Sequence, residues 1–461
     1  MEETLSGKVE RVVFHNADNG WTVLDLDAGE TLEKVVGVFA DIHVGEELQM
    51  QGNFVEHQKF GRQFQMQRYV STLPTDTISV LRYLSSGAVR GIGPSTAARV
   101  IDKFGDDTLR ILEEEPLRLA EVRGITREKA KKLGEEFHAQ SGLRELLLTF
   151  SAYGLTQHEA VRCWKRFGVS AVSRIRDNPY ILYTQELGIS FERADSMALA
   201  MYGEGNTPSR LEAGLLHVLR HNTQNGHTCL PQEKLVAAAA GMLGATVEEM
   251  LAVLEHMKEK GAVYGEDLQG VAFVFLPQYY MAEKYIAARL REMAALSETT
   301  AAADIDRLEK KLHIHYAEQQ RAALSAAATH QVMILTGGPG TGKTTAVNGM
   351  IFMAQHKGLS VQLAAPTGRA AKRMTELSGE SAKTLHRLLE VQWDEDDRLT
   401  FNRNEKNPLE ADVVIVDELS MVDTLLFEAL LRALPKACRL ILVGDADQLP
   451  SVGAGCVLQS L

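Results

Sequence analysis

The stretch Thr336–Thr345, TGGPGTGKTT, has the composition and spacing of a phosphate-binding loop. Its glycines let backbone N–H groups turn inward toward phosphate oxygens, and the helix expected after the loop adds positive charge at its N-terminus. Lys343 can reach the β- and γ-phosphates, and the Thr344 hydroxyl can ligate Mg²⁺. We therefore predict an ATP-binding segment made of Gly338, Pro339, Gly340, Thr341, Gly342, Lys343, Thr344 and Thr345.

Two adjacent carboxylates follow an apolar run later in the chain. Val413–Val416 contains four β-branched or aliphatic residues, which is typical of a buried parallel strand, and Asp417 and Glu418 come directly after it. Ligands bind at the carboxyl ends of strands in such sheets. We predict that Asp417 holds Mg²⁺ together with Thr344, and that Glu418 orients and deprotonates the attacking water. Solvated acids at the end of a strand are the alternative.

Two glutamines complete the predicted nucleotide site. Gln448 follows the apolar run Leu440–Val443 in a polar turn with Asp445, and we predict that it senses the γ-phosphate. Gln319 precedes the run Val332–Leu335, which we expect to be the buried strand before the loop. An amide offers both a donor and an acceptor to the edge of adenine, although a solvated glutamine is the alternative. The predicted catalytic residues are Lys343, Asp417, Glu418 and Gln448.

A basic helix is predicted after the turn Pro366-Thr367-Gly368. Thr367 and the start of the helix can hold a phosphate, and Arg369, Lys372 and Arg373 add positive charge. His386 lies in a second short helix, where simple capping is an adequate alternative to a contact with nucleic acid. In this part of the chain, we predict DNA contacts from Pro366, Thr367, Arg369 and His386.

The elements that position these residues belong to a chain of 461 residues, long enough for three or four domains. Residues 1–75 alternate like short strands separated by turns, which predicts a small β-barrel, with the OB type as one candidate. The barrel aromatics could form a binding surface for single strands together with nearby basic residues. We favour the alternative that they are core residues. The residues concerned are Trp21, Phe39, Phe54, Phe60 and Phe64, with Lys59, Arg62 and Arg68.

Residues 76–205 change to helical periodicity and contain a recurring glycine turn. Gly91-Ile92-Gly93 precedes a helix rich in small residues, and related turns recur at Gly124, Gly154 and Gly188. The turn resembles a helix-hairpin-helix, whose backbone N–H groups can hold a DNA phosphate without reading sequence. We predict an array of such hairpins with DNA contacts at Gly91 and Gly93. Plain helical packing is the alternative for the later copies.

The remaining sequence predicts two further domains. Residues 206–300 contain three helices and a hairpin around Gly265-Glu266-Asp267, which suggests a winged-helix-like unit that is either a spacer or a nucleic-acid reader. A linker is expected at Ser297–Ala303. Residues 301–461 alternate strands and helices like a doubly wound α/β domain that carries the phosphate-binding loop. The predicted fold class is therefore multidomain, α/β and α+β.

Composition excludes several classes of protein. A formal net charge of −12 argues against a uniformly basic coat, although backbone N–H groups can still hold DNA. The four cysteines are far apart and form no C-x-x-C pair, so neither a zinc site nor a disulfide framework is indicated, and a cytoplasmic setting is expected. The N-terminus does not read as a signal peptide, and no apolar run approaches the roughly 20 residues of a membrane span.

Four motifs carry a resemblance to a known family. GGPGTGKTT, APTGRAAKRM, VDELSMVD and LVGDADQLPSV resemble motifs I, Ia, II and III of superfamily 1 helicases, in the RecD-like branch. NADNGWTV and VRGIGPSTAARVI resemble the long form of that branch, which lacks RecBC partners. The resemblance implies an ATP-dependent 5′→3′ DNA helicase of the isomerase class. It also implies a Q-motif role for Gln319 and DNA contacts near Thr367.

The segment Leu389–Asn407 lies between motifs Ia and II. It reads as a hairpin around the acidic turn Asp394–Asp397, and in the family such an insertion is the pin that splits the duplex. The implied partners are single-stranded DNA, duplex/single-strand junctions and a single-strand-binding or repair protein, for a monomer acting in DNA repair or recombination. Two alternatives stay open: a P-loop ATPase that loads or remodels proteins on DNA, and a non-catalytic DNA-binding module.

The chain stops at Leu461, eleven residues after Pro450. The resemblance implies a second RecA-like domain with arginines that stabilise the transferred phosphoryl group, worth about 10³–10⁵ in rate in related chemistry. We therefore expect a C-terminally truncated form, short by roughly 250 residues. It should bind ATP–Mg²⁺ weakly, hydrolyse ATP slowly and fail to unwind DNA by itself.

Overall fold

A computed structural model describes residues 3–16, 20–29, 31–39, 42–57, 61–184, 186–203, 205–296, 305–393 and 399–461. The chain divides into two units, Met1–Gly205 and Asn206–Leu461. The predicted multidomain fold, with a small barrel, a hairpin array and a P-loop domain, is confirmed. Some predicted features lie outside the described residues: the linker Ser297–Ala303, the acidic turn Asp394–Asp397, and the side chains of Lys59 and Phe60.

The first unit begins with a closed barrel in the strand order β1-β2-β3-β5-β4. The strands are β1 (Glu3–His15), β2 (Trp21–Asp27), β3 (Leu32–Val38), β4 (Glu47–His57) and β5 (Gly61–Thr72). Phe39 and Phe64 are fully buried in its core, and Phe54 meets Phe64 with ring centroids 5.0 Å apart. The Arg62 guanidinium lies 4.0 Å from the centre of the Phe54 ring, whereas Trp21 is 39% exposed. The barrel aromatics are thus mainly core residues, as we favoured.

Helices follow the barrel, and glycine turns connect them. Their bounds are α1 (Thr77–Ser85), α2 (Pro94–Phe104), α3 (Thr108–Glu114), α4 (Arg127–Phe150), α5 (Gln157–Phe167), α6 (Ala171–Asp177) and α7 (Phe191–Tyr202). All four predicted turns have a left-handed glycine, with φ of +96° at Gly91, +92° at Gly124 and Gly154, and +63° at Gly188. Such φ values are open to glycine at little cost, and they let the chain reverse into the next helix.

Arginine side chains tie the hairpins together in pairs. Arg99 donates from Nη1 to the carbonyl oxygen of Arg123, 2.5 Å away, and so joins the first hairpin to the second. Arg193 donates from Nη2 to the carbonyl oxygen of Gly154 at 2.8 Å and to Glu159 at 2.9 Å, and so joins the fourth hairpin to the third. The array therefore consists of two hairpin pairs.

A buried ion pair connects the barrel to α4. Glu46 has no exposed surface, and its carboxylate accepts hydrogen bonds from Arg144 Nη2 at 2.8 Å and from the Ser71 hydroxyl. Burial, the largest single influence, lowers the pKa of Arg144, but the Glu46 carboxylate together with Tyr83 and Tyr69 more than offsets it, and the pKa is raised. A cavity of about 800 Å³ lies along this seam, far in sequence from the phosphate-binding loop. The ion pair therefore fixes how the barrel packs on the helical array.

We predict that Glu46→Gln destabilises the first unit by about 3 kcal/mol, because it leaves the Arg144 charge buried without its partner. Urea unfolding measures this loss in the free energy of unfolding, and amide hydrogen exchange in β4 and β5 locates it. The double variant Glu46→Leu/Arg144→Met removes both charges, so it should recover most of the stability. A double variant less stable than Glu46→Gln would contradict the prediction.

The second unit begins with a small module of helices and strands. It contains α8 (Pro208–Gln224), α9 (Gln232–Leu243) and α10 (Val247–Glu259), with a sheet in the order β6-β8-β7. The strands are β6 (Cys229–Pro231), β7 (Tyr264–Leu268) and β8 (Val271–Phe275). The predicted hairpin turn at Gly265–Asp267 is wrong, because those residues pair within β7 and the chain reverses at Gln269-Gly270.

Among the described residues, no single helix is long and apolar enough to cross a membrane. The bent pair of α9 and α10 has, taken together, the length and apolar composition of a span.

A five-stranded parallel sheet in the order β11-β10-β14-β15-β9 forms the centre of the P-loop domain. These strands are β9 (Val332–Thr336), β10 (Val361–Ala365), β11 (Ala382–Thr384), β14 (Val413–Val416) and β15 (Arg439–Gly444). Val413–Val416 is buried as predicted. The predicted burial of Val332–Leu335 is wrong, because β9 is an edge strand among those described and Ile334 is 38% exposed.

Helices cover the two faces of this sheet, and a separate hairpin projects from it. The helices are α11 (Pro277–Ala295), α12 (Ile305–Leu312), α13 (Glu318–Thr329), α14 (Lys343–His356), α15 (Gly368–Ser378), α16 (Leu385–Leu388), α17 (Thr424–Ala433) and α18 (Val457–Ser460). The hairpin strands are β12 (Val391–Trp393) and β13 (Leu399–Phe401).

The small module is attached firmly to the P-loop domain. The helix α11, which directly follows the module's strand β8, packs against the P-loop domain. Its Met293 is buried in the same core as the residues of α17, and the Arg432 guanidinium lies 3.9 Å from the centre of its Tyr285 ring. At a second point, the Gly455 N–H donates to the carbonyl oxygen of Gly226 at 2.9 Å. The module and the P-loop domain therefore pack as one unit.

Candidate active site

The loop between β9 and α14 has the geometry of an anion cradle. Gly340 and Gly342 have φ of +78° and +84°, and Gly342 is the N-cap of α14. Within the loop, the Thr341 hydroxyl donates to the carbonyl oxygen of Gly338 at 2.9 Å. The first turn of α14 carries Lys343 and Thr344, so backbone N–H groups, a cation and a hydroxyl converge on one point.

Lys343 lies folded over this loop. Its Nζ donates to the carbonyl oxygen of Gly338 at 3.1 Å and to that of Gly337. A neutral carbonyl oxygen binds an ammonium group less strongly than a charged phosphate oxygen does. The lysine can therefore exchange them for a bound phosphate without moving its backbone.

Two carboxylates lie at the end of β14, across the site from the lysine. Asp417 Oδ1 accepts a hydrogen bond from the Glu418 backbone N–H at 2.9 Å. Burial raises the pKa of Asp417, and burial together with the Asp417 charge raises the pKa of Glu418. Lys343 acts in the opposite direction on both groups. Glu418 also has a φ of +56°, which is uncommon for a residue with a side chain and marks a position with a specific role.

The turn after β15 brings Gln448 to the same site. Asp445 is 4% exposed, and its carboxylate accepts the Asp447 N–H at 3.1 Å, which holds the turn in shape. The Gln448 N–H donates to the Asp445 carbonyl oxygen at 3.2 Å. Asp445 thus shapes the loop that presents Gln448.

One cavity of about 330 Å³ collects most of the predicted nucleotide residues. Those lining it are Gly338, Pro339, Gly340, Thr341, Gly342, Lys343, Thr344, Asp417, Glu418 and Gln448. Thr345 is in the same helical turn but does not belong to the described lining. The Thr344 hydroxyl and the half-buried Asp417 carboxylate form an oxygen donor pair that suits Mg²⁺, which usually keeps water and phosphate oxygens as its other ligands.

Of the two adjacent glutamines upstream of the loop, the one after the predicted Gln319 contacts the loop. Gln319 is exposed, whereas the Gln320 side chain donates from Nε2 to the carbonyl oxygen of Gly342 at 3.2 Å. Gln320 Oε1 also accepts the Ala317 N–H at 3.0 Å. The two glutamines point about 100° apart around α13, so only one can face the loop. Only the reciprocal half of a capping box is present, because Ala317 at the N-cap has no side-chain acceptor, so no sequence signal distinguishes Gln320 from Gln319.

The predicted DNA contacts of the P-loop domain follow two neighbouring strands. Thr367 is the N-cap of α15 and accepts the Ala370 N–H at 3.2 Å, with Pro366 before it and Arg369 exposed in the first turn. His386 belongs to α16, whose N-cap Thr384 accepts the Arg387 N–H at 3.3 Å. Both helices begin at the carboxyl ends of parallel strands, so these residues share the edge that carries the loop.

The inserted hairpin is held rigidly at its base. Arg403 Nε donates to Glu390 at 2.8 Å, and Asn402 Nδ2 donates to the same carboxylate at 2.6 Å. Trp393 ends β12 and is 69% exposed. A fixed base therefore presents an aromatic ring to solvent at the end of β12.

In the other unit, the predicted contacts Gly91 and Gly93 are both exposed. Gly93 is the N-cap of α2, and the preceding Ile92 anchors the turn in the core. The neighbouring Arg90 is also exposed, as is Arg123 at the equivalent position of the second hairpin. The third and fourth hairpins have Tyr153 and Leu187 at this position, so the basic surface belongs to the first pair.

Three family models match separate parts of the chain. Residues 2–74 match the OB-fold domain of the ATP-dependent DNA helicase YrrC, and residues 139–229 match the helix-hairpin-helix domain of the ATP-dependent RecD2 DNA helicase. Residues 320–454 match an AAA domain. The ATP-dependent RecD2 DNA helicase of Deinococcus radiodurans is 33% identical over 476 aligned positions, which cover 99% of this chain and 66% of that protein. The chain belongs to the RecD-like helicases, in their long form.

Shorter RecD proteins match less of this RecD-like chain. The RecBCD enzyme subunit RecD of Mycolicibacterium smegmatis is 37% identical over 41% of the chain and 37% of the subunit. The Haemophilus influenzae subunit is 31% identical over 56% of the chain and 45% of the subunit. The chain thus spans less than half of each of these two subunits and about two thirds of the D. radiodurans protein.

We predict that Gly342→Ala weakens binding of a fluorescent ATP analogue at least about tenfold. The added Cβ would lie 2.3 Å from Gln320 Nε2, and a left-handed φ disfavours alanine. Gly379→Ala is a matched control, because its φ is +73° and the new Cβ meets open space. Equal losses in the two variants would assign the effect to general backbone strain rather than to the loop.

Proposed function

We propose that this protein is an ATP-dependent DNA helicase that moves 5′→3′ along single-stranded DNA and couples ATP hydrolysis to duplex separation. The observation that carries the proposal is the single cavity in which Lys343, Asp417, Glu418 and Gln448 meet. Membership of the RecD-like family supports the DNA substrate, and the direction of movement rests on that relationship.

The geometry suggests how ATP is held. The N–H groups of the loop and the first turn of α14 surround the β-phosphate, and Lys343 leaves the Gly337 and Gly338 carbonyl oxygens to bind the β- and γ-phosphates. Thr344 and Asp417 would hold Mg²⁺, which neutralises the charge on the phosphates. Gln320, beside the loop, is well placed to contact the adenine, a role first predicted for Gln319.

Hydrolysis requires a base and a sensor. The raised pKa of Glu418 makes its carboxylate a better proton acceptor, so it can take a proton from the water that attacks the γ-phosphorus. Gln448 lines the same cavity from the β15 turn and can hydrogen-bond the γ-phosphate until it departs. The loss of that bond would report the nucleotide state to the rest of the domain.

DNA is proposed to bind along the edge where the parallel strands end. Thr367, Arg369 and His386 supply contacts to the strand, and the Trp393 hairpin is proposed as the pin at the junction. Gly91 and Gly93 would hold duplex phosphates through backbone N–H groups. We also propose a monomer acting in cytoplasmic DNA repair or recombination, with a single-strand-binding or repair protein as partner.

The central test uses two substitutions in the cavity. Lys343→Ala should remove ATP binding, because the phosphates lose their cation, and Glu418→Gln should keep binding while lowering single-turnover hydrolysis about 10²–10⁴-fold. Fluorescent-nucleotide titration and quenched-flow phosphate release measure the two effects. Binding that survives Lys343→Ala, or hydrolysis unaffected by Glu418→Gln, would place the reaction elsewhere.

A second test concerns the hairpin. Trp393→Ala should weaken binding to forked DNA about fivefold or more, because stacking on a base is worth about 1–3 kcal/mol, while binding to an unbranched single strand changes little. Trp393→Phe, which keeps an aromatic face, is the control and should bind forks nearly as well as the parent. Equal affinities of all three proteins for forks would exclude the proposed role of the ring.

A further inference from the structure

The helix α15 presents two different faces. Ala370, Arg373, Met374 and Leu377 line the nucleotide cavity, and their spacing of three and four residues places them on one side of the helix. Arg369, Lys372 and Glu376 follow the same spacing about 100° away. The basic residues of this motif therefore divide: Arg373 faces the nucleotide, whereas Arg369 and Lys372 do not line its cavity.

Arg373 is also a cation of the cavity that has no bonding partner among the described residues. Lys343 is bonded to two loop carbonyls, and outside the cavity Lys372 lies 3.9 Å from the Glu376 carboxylate. Within the described residues, the Arg373 guanidinium has no hydrogen bond or ion pair, although its charge lowers the pKa of both Asp417 and Glu418. It is thus close enough to act electrostatically on the acids while all five of its N–H donors stay available.

A guanidinium is well suited to a terminal phosphate. Its planar fork donates two parallel hydrogen bonds to a pair of phosphate oxygens, which a lysine ammonium cannot do. Lys343 and the loop N–H groups approach the phosphates from the P-loop side. Arg373 approaches from α15, near Asp417 and Glu418, where the γ-phosphate is expected.

We propose that Arg373 binds the terminal phosphate of ATP and makes the site favour the triphosphate over the diphosphate. This inference rests on the proposed function of the cavity. Thr367, the N-cap of the same helix and the proposed DNA contact, lies six residues before Arg373. A DNA phosphate at the N-terminus of α15 and a nucleotide phosphate on its inner face therefore share one short rigid element.

The experiment measures affinities for fluorescent ATPγS and ADP, both with Mg²⁺, in the parent chain and four variants. Arg373→Ala should weaken ATPγS binding about tenfold or more, because a charge-assisted phosphate contact is lost, and change ADP binding less than about twofold. Arg373→Lys should recover part of the affinity, because it restores charge without the fork. Lys372→Ala, one residue away on the other face, should bind both nucleotides like the parent.

Lys343→Ala is the fourth variant and separates the two hypotheses. If it binds ATPγS like the parent, the proposed nucleotide site itself is wrong. If Lys343→Ala loses ATPγS binding, the site stands. The inference about Arg373 is then wrong if Arg373→Ala weakens the binding of ATPγS and ADP equally, or if it weakens the binding of neither nucleotide. Single-stranded DNA binding should stay within about twofold in Arg373→Ala. A loss of DNA affinity without a loss of nucleotide preference would instead make Arg373 a DNA contact. Circular dichroism and thermal melting confirm that each variant is folded.

Discussion

The P-loop domain depends on one constraint: parallel strands deliver all of their following loops to the same edge of the sheet. Strand β14 pairs with β10 on one side and β15 on the other, and β15 pairs with β9. The phosphate loop, the Thr367 turn, the carboxylate pair and the Gln448 turn follow these four strands. They are far apart in sequence, but hydrogen-bonded neighbours bring them to one edge of the sheet, where the phosphate loop, the carboxylate pair and the Gln448 turn line one cavity. Apolar burial on both sheet faces holds this register, so the site is as rigid as the core beneath it.

The sequence predicted this arrangement well where a pattern has a direct physical cause. Four β-branched or aliphatic residues before Asp417 identify a buried strand, and the loop glycines identify a tight backbone, because no other residue tolerates those φ angles easily. The recurring hairpin glycines were found for the same reason. Each of these signals is local, so it can be read without knowledge of neighbouring elements.

Errors occurred where the outcome depends on the rest of the fold. Val332–Leu335 is apolar whether β9 is central or at the edge, so its sequence does not show the position of the strand in the sheet. Gln319 and Gln320 are chemically identical, and the rotation of α13 against the loop decides which one makes contact. The turn at Gln269-Gly270 was missed because Gly265 is also a turn former, although it lies within β7, beside the Lys258 side chain. The sequence motif shows that Arg373 is basic, but only its position on α15 shows that the side chain lines the nucleotide cavity.

The contact between Gly455 and Gly226 has a practical consequence. Gly455 lies seven residues after Gln448, and its hydrogen bond to Gly226 anchors this segment to the turn at the end of α8. A displacement of that segment when nucleotide binds or leaves would therefore pull on a turn that does not line the cavity. An environment-sensitive dye attached at this turn would serve as an optical reporter of nucleotide binding without occupying the cavity.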